Sequence, residues 1–443
     1  MQKSNFKNRY ILGISFISAL GGYLFGFDFA VISGALPFLQ KQFAFSAYWE
    51  GFATGILAIG AIAGCIFAGQ VADKYGRRPG LMLAAALFAV SSLAMAFAPN
   101  RDLFLVARFA AGAGVGMASM LSPMYISEIA PAAIRGRLVA MNQLTIVLGI
   151  LITNLVNYTL RNNGTDAWRL MFGLGVVPSG LFLIGAYFLP ESPRWLIRNN
   201  KAQSAEVILG KMGDALYVSE SLSVIKKSVT GAARINYAAV FKRAVLPALL
   251  TGIGLAMFQQ FCGINTVFNY APKIFQSIGA SKDDQLLQTV FIGAVNLVFT
   301  ILAMALVDKL GRKPLMLIGA GGLCLLYVLI VNALHSGSGM LSGLLLAAIG
   351  TYAMTLAPVI WVLISEIFPV GVRAAAITIA VVCLWLAYFI LVFTFPPLFE
   401  RLKENTFYIY AVICAAGFIF ALFRIKETKG KNLEEVEQAI TMH

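Results

Sequence analysis

The heptapeptide DKYGRRP at Asp73–Pro79 returns as DKLGRKP at Asp308–Pro314. Two further strings keep nearly the same spacing. SEIAPAAIRG at Ser127–Gly136 returns as SEIFPVGVRA at Ser365–Ala374, and PESPR at Pro190–Arg194 returns weakly as KETKG at Lys426–Gly430. Each pair is separated by roughly 235 residues, and self-similarity at a fixed period marks a duplicated structural unit. All six strings are short and charged, and they interrupt long apolar stretches.

Outward from these motifs, apolar runs fall at 10–36, 51–72, 81–98, 103–126, 138–160 and 169–189, then at 244–277, 286–307, 315–334, 341–364, 373–398 and 406–424. A bilayer core takes about 20 apolar residues per helix. The expected fold is therefore an all-α membrane protein with twelve transmembrane helices in two parallel six-helix repeats. The predicted organisation is an N-terminal six-helix bundle over 1–190, a cytoplasmic linker with short helices over 191–243, a C-terminal six-helix bundle over 244–424 and a cytoplasmic tail over 425–443. The first run has no small-residue cleavage site and eleven runs follow it, so it reads as a spanning anchor rather than a signal peptide. Membrane transporters built from repeats place the substrate site at the repeat interface and alternate access by rocking.

Composition agrees. Hydrophobic residues make up 59% of the 443 and charged residues 12%, whereas a soluble domain is about 25% charged. A soluble enzyme, a disordered chain and a disulfide-stapled secreted domain are excluded. The net charge of +14 is spread over the connections between runs instead of forming a nucleic-acid-binding patch. On one side these connections hold only Lys41, Arg101, Arg161, Lys282, Arg401 and Lys403, and most Lys and Arg fall on the other. The positive-inside rule then puts both termini in the cytoplasm of a multi-pass protein in the plasma (inner) membrane. Cys65, Cys262, Cys324, Cys383 and Cys414 sit in apolar segments without metal-ligand or redox spacing. No metal cluster, cofactor motif or midspan nucleophile–base set is present, so no enzymatic activity and no cofactor are expected.

Among the acids, Asp28 alone lies well inside an apolar run, and Arg108 is the base placed as clearly inside one. A charge there costs about 2.5–3.5 kcal/mol on insertion scales and marks a partner or a role. At 1.5 Å per residue, Asp28 lies roughly 12 Å and Arg108 roughly 8 Å below the outer ends of their helices. Burial disfavours the carboxylate and a neighbouring guanidinium favours it. A small movement of Arg108 can therefore switch Asp28 between its two protonation states, which is the chemistry of proton coupling; a permanent structural ion pair is the alternative.

The midspan polar groups are otherwise neutral. Gln143, Gln259, Gln260, Asn265, Asn269, Tyr270 and Asn296 fall within runs, and amides both donate to and accept from vicinal hydroxyls. Trp361 and Trp385 offer flat apolar faces suited to a sugar's C–H surface, while Trp49, Trp168 and Trp195 fall at segment edges as interfacial anchors do.

These motifs resemble those of the sugar porter family of the major facilitator superfamily: the two DxxGRR/K turns, PESPRWL at 190–196 and QQFCGIN at 259–265. The similarity is greatest to bacterial xylose/proton and hexose/proton symporters. The resemblance implies the major facilitator fold and proton-coupled symport of a neutral monosaccharide, a pentose or hexose such as D-xylose or D-glucose. A proton-independent facilitative uniporter is the alternative. It also implies proton coupling at Asp28 and Arg108, and sugar contacts at Gln143, Gln259, Gln260, Asn265, Asn296 and Trp361, with Phe25, Tyr270 and Trp385 beside them. Leu384 departs from the polar residue usual at its position, and Asn269 replaces a tyrosine. The resemblance further implies a cytoplasmic gate of salt bridges between the halves, drawn from Asp73, Arg77, Arg78, Glu128, Arg135, Glu191, Arg194, Asp308, Arg312, Glu366, Arg373 and Glu427. The implied partners are the sugar, the proton and the lipid bilayer, with no nucleic acid, for a chain functional as a monomer.

Overall fold

The computed structural model describes residues 6–131, 134–230, 237–243, 245–337, 339–368, 372–425 and 427. Among them the regular structure is helical, apart from one isolated β-bridge between Phe6 and Gly213. The helices are α1 (Asn8–Phe43), α2 (Ala47–Tyr75), α3 (Arg77–Ala96), α4 (Arg101–Ile129), α5 (Arg135–Leu160), α6 (Ala167–Gly173), α7 (Val176–Phe188), α8 (Pro193–Arg198), α9 (Ala202–Met212), α10 (Ala215–Thr230), α11 (Tyr237–Val240), α12 (Leu246–Phe261), α13 (Ile264–Gln276), α14 (Lys282–Leu310), α15 (Arg312–Ser336), α16 (Leu341–Met354), α17 (Leu356–Ile367), α18 (Arg373–Leu402) and α19 (Thr406–Arg424).

Eleven described stretches are long and apolar enough to cross a bilayer, and the last of them, Arg373–Arg424, holds both α18 and α19 around a short 3₁₀ turn. Twelve spans result, as the runs predicted. Three spans are broken into two helices each: α6 with α7, α12 with α13, and α16 with α17. The break before α13 has a clear local cause. Gly263 takes a φ of 87°, and a Cβ there would enter the Tyr410 ring. Only glycine combines that left-handed geometry with that fit. Broken helices leave backbone groups for a ligand to use, which is where transporters commonly build their sites.

By contact density the chain forms two units. The first comprises residues 1–28, 60–150 and 169–234, and the second 29–59, 151–168 and 235–443. The boundaries cut through α1, α2 and α5, so one end of each of these helices is grouped with the C-terminal six spans.

In the first unit, α1 crosses α5 where Gly22 and Gly26 lie against the carbonyls of Asn142 and Ile146, and α2 crosses α4 at Gly60, Gly64 and Gly116. Lipid supplies little hydrophobic drive for helix association, so small residues that let backbones approach take over that task. The linker helices α8, α9 and α10 pack through Trp195, Leu196 and Ala205 with Ile197, Ile208 and Leu222. In the second unit, Gly51 of α2 rests on the Phe393 carbonyl of α18. Asn154 donates to the Thr289 carbonyl at 2.7 Å, and Asn157 donates to the Ala30 carbonyl at 2.9 Å.

Two expected interfacial tryptophans are interior. Trp168 is fully buried and packs on Phe43, with centroids 5.5 Å apart. The buried Trp195 donates its indole N–H to the Asp73 carbonyl at 3.0 Å. A position at the edge of an apolar run makes an anchor only when the side chain faces lipid; these two face protein.

Candidate functional site

The first unit brings Asp28 and Arg108 together. Both are sealed, at 0% and 1% exposure. Arg108 Nη1 donates to Oδ1 at 3.4 Å, and Nη2 lies 3.3 Å from Oδ2. Charge-assisted N–H···O bonds are usually about 2.7–2.9 Å, so this pair is in contact but loosely held. Oδ2 has no hydrogen-bond partner, and the guanidinium also lies 5.7 Å from the centre of the Phe172 ring. The carboxylate is thus sealed from water against the guanidinium, which at the same time lies beside an aromatic ring.

The second unit gathers the amides of the broken α12–α13 span. Gln259, Gln260, Asn265 and Asn269 are all buried. Asn265 donates to Gln260 Oε1 at 2.6 Å, and Gln259 donates to the Ala357 carbonyl at 3.2 Å. Asn269 donates to the Asn265 carbonyl at 2.7 Å and accepts from the Tyr388 hydroxyl at 3.2 Å. Gln259 Oε1 is buried without a partner, an acceptor left for a ligand hydroxyl. Tyr270 donates to the Val392 carbonyl at 2.6 Å and stacks on Phe395. Asn296 is buried on α14, and the buried Trp385 packs edge-on against Tyr388 at 5.9 Å. Trp361 differs, with 43% of its surface open. In the first unit, Gln143 on α5 and Phe25 on α1 are half-buried. Leu384 is buried, so the departure from a polar residue removes a hydrogen-bonding group and leaves packing.

The two Gly-Arg turns have matching constructions, one in each unit. Arg77 binds Glu128 through Nε and Nη2, each at 3.0 Å, and lies 3.5 Å from Asp73. Glu191 accepts from the backbone N–H of Arg77 at 2.8 Å and from that of Arg78, closing the start of α3. In the second copy Arg312 pairs with Glu366 at 3.2 Å, while Glu427 accepts from the backbone N–H groups of Arg312 and Lys313, both at 3.0 Å. Gly76 and Gly311 have φ of 110° and 91°, and a Cβ on either would collide with the carboxylate seated there. Burial pushes the Glu191 carboxyl above its ordinary value, and the N–H groups of Ser192, Arg77 and Arg78 partly offset this. Arg135 and Arg373 turn back to the carbonyls of Ala130 and Phe368, where they cap the helices that end there. Arg78 lies over the Tyr187 ring, and Arg194 is half-buried on α8. The Asp308 side chain and Lys426 lie outside the described residues.

The sugar (and other) transporter family profile matches residues 14–440. The D-xylose-proton symporter of Escherichia coli K12 is 37% identical over 98% of this chain and 96% of its own. The arabinose-proton symporter of Bacillus subtilis is 36% identical over 97% of this chain and 95% of its own. The inward-open structure of the E. coli xylose transporter XylE matches with a TM-score of 0.86 and 36% identity, over 97% of this chain and 100% of that one. The chain belongs to the sugar transporter family. It is thus a multi-pass membrane transporter of the major facilitator fold, not an enzyme.

One pair in this transporter escaped sequence reasoning. Glu50, in the first turn of α2, is 1% exposed, although it falls just outside the apolar run that begins at 51. Its carboxylate meets Lys273 of α13 at 2.6 Å and accepts from Gln40 at 2.8 Å. The signal was available: Lys273 lies inside the run 244–277, and a base within an apolar run needs an acid at its own depth.

Proposed function

We propose that this transporter carries a neutral monosaccharide together with a proton, by alternating access. The substrate class is a pentose or hexose such as D-xylose or D-glucose. The observation that carries the proton-coupled reading is the sealed, loosely held Asp28–Arg108 pair. A proton on Asp28 releases Arg108 towards Phe172, and loss of the proton draws it back. Each protonation state thus favours one arrangement of α1 and α4, and a two-state protein shifts by the differential stability of its states.

The amides Gln259, Gln260, Asn265 and Asn296, with Gln143 of the first repeat, hold the sugar hydroxyls. Trp361, Trp385, Tyr270 and Phe25 supply apolar surface. No unpaired charge lies among these groups, which disfavours phosphorylated sugars and organic anions. The Gly-Arg turns face the cytoplasm, as do both termini, in the plasma (inner) membrane, and a single chain in the lipid bilayer suffices. The gate residues of the two turns exchange partners between the repeats when the cytoplasmic side closes.

The test is Asp28→Asn in proteoliposomes. Uphill, proton-driven accumulation is expected to disappear, while sugar counterflow stays within a few-fold of the native rate. Accumulation at the native level would remove Asp28 from the coupling mechanism.

A further inference from the structure

The Glu50–Lys273 pair belongs to neither the proton site nor the sugar amides, and the gate at the Gly-Arg turns lies at the other end of α2. We infer that Glu50, with Gln40, latches Lys273 and so holds the outer side of the transporter shut, in register with the sugar site. Glu50 and Gln40 come from the first repeat, whereas Lys273 and Glu400 come from the second. All four lie in the second contact unit. When the repeats rock apart on the outer side, this pair must part.

Burial gives the latch its strength. Lys273 Nζ and Gln40 Nε2 both bond to the same oxygen, Oε2 of a carboxylate that is 1% exposed. In the shut state the two partners take the place of water. Taking away one of them leaves a buried charge uncompensated, which strongly disfavours the shut geometry. Once the sides part, the same charge is hydrated. The pair therefore biases the equilibrium between states and leaves the fold of each repeat intact. Lys273 also lies 3.9 Å from the exposed Glu400, so without Glu50 it has a partner outside the seal and is drawn outward.

Position along α13 links the latch to the substrate. Lys273 is one turn beyond Asn269, and the helix is kinked between them, with Tyr270 at φ −123° and ψ 17° and Pro272 following. Ser33, Gln40, Glu50, Asn269, Tyr270 and Lys273 line one small cavity. A sugar hydroxyl that draws on Asn269 sets the direction of the last turn of α13, and thereby the reach of Lys273 to Glu50. Lys273 is in this sense a positioning residue.

The experiment is hydrogen–deuterium exchange on the full-length protein in lipid nanodiscs, without sugar and without a proton gradient. Glu50→Gln and Lys273→Met are each expected to raise uptake over residues 29–43 and 264–276. The expected size is about a tenfold shift of the equilibrium towards the outward-open state, equivalent to about 1.4 kcal/mol. The exchanged pair, Glu50→Lys with Lys273→Glu, is expected to restore the native pattern, which a merely space-filling role would not. Uptake at the native level in both single variants, or an exchanged pair as perturbed as the singles, overturns the latch. Should Glu50→Gln not fold, Lys273→Met decides alone, because Glu50 keeps Gln40. The inference rests on the symport reading, but this measurement involves neither sugar nor proton drive. Its failure is therefore distinct from failure of the Asp28→Asn assay.

Discussion

The two ends of the repeats are fastened differently. At the Gly-Arg turns the ion pairs described, Arg77 with Glu128 and Arg312 with Glu366, join residues of the same repeat. At the opposite end, Glu50 with Lys273 and Arg161 with Asp283, the latter at 2.6 Å, join residues of different repeats. Among the described pairs, charge thus stiffens each bundle at one end and joins residues of different repeats at the other. An alternating-access protein needs such an asymmetry, because whichever side is shut must be held by bonds that the other side lacks.

The largest effect expected from perturbing this arrangement is on stability at the Gly-Arg end. Arg77→Met strands Glu128, whose side chain is 11% exposed, and breaking a buried pair costs roughly 3–5 kcal/mol. Arg312→Met is expected to cost less, because Glu366 is 22% exposed and can be hydrated in place. Thermal unfolding of the purified variants ranks the two, and the reverse order would undo the reading of the first turn as the tighter one. A smaller effect is expected from Glu128→Gln combined with Glu366→Gln. Glutamine keeps an oxygen that can accept from Arg77 and from Arg312, so the charge of each pair is lost but not its hydrogen bond. Loss of both gating carboxylates should therefore move the populations a few-fold towards the inward-open state, opposite in sign to Glu50→Gln. Spin-label distances across each side measure both directions, and equal signs would dissolve the contrast between the ends.

The smallest effect concerns Glu191. Burial raises its carboxyl value in the folded state, so the folded chain holds that proton more tightly than the unfolded chain. The resulting stabilisation is present below the ordinary glutamate value and fades as pH rises through the raised one. Glu191→Gln is expected to flatten that slope, a change of about 1–2 °C in Tm across the window.

Much of this was legible in the residues. The repeated DKYGRRP and DKLGRKP strings disclosed the duplication, and the apolar runs disclosed the twelve spans, because bilayer thickness imposes a length that soluble folds do not. Asp28 and Arg108 were legible as a pair because a charge inside an apolar run needs a counter-charge at its own depth. Glu50 was hidden for the complementary reason: a helix-end acid has water as a default partner, and only the packing of α1, α13 and α18 around it removes that water. The buried Trp168 and Trp195 were hidden likewise, since the edge of a run does not say which way a side chain faces. The breaks that divide three of the spans depend on how the backbone meets its neighbours, as Gly263 meets Tyr410, and no pattern within one segment reveals that.

The carboxylates seated on Gly76 and Gly311 carry a last consequence. Glu191 follows the sixth span of the first repeat and Glu427 follows the sixth span of the second, and each returns to the start of the third helix of its own repeat. Each repeat is therefore a closed hoop with a hydrogen-bonded clasp, not an open string of helices. A hoop resists internal shear and tends to turn as one piece, so the fold directs motion into the seam and away from the bundles.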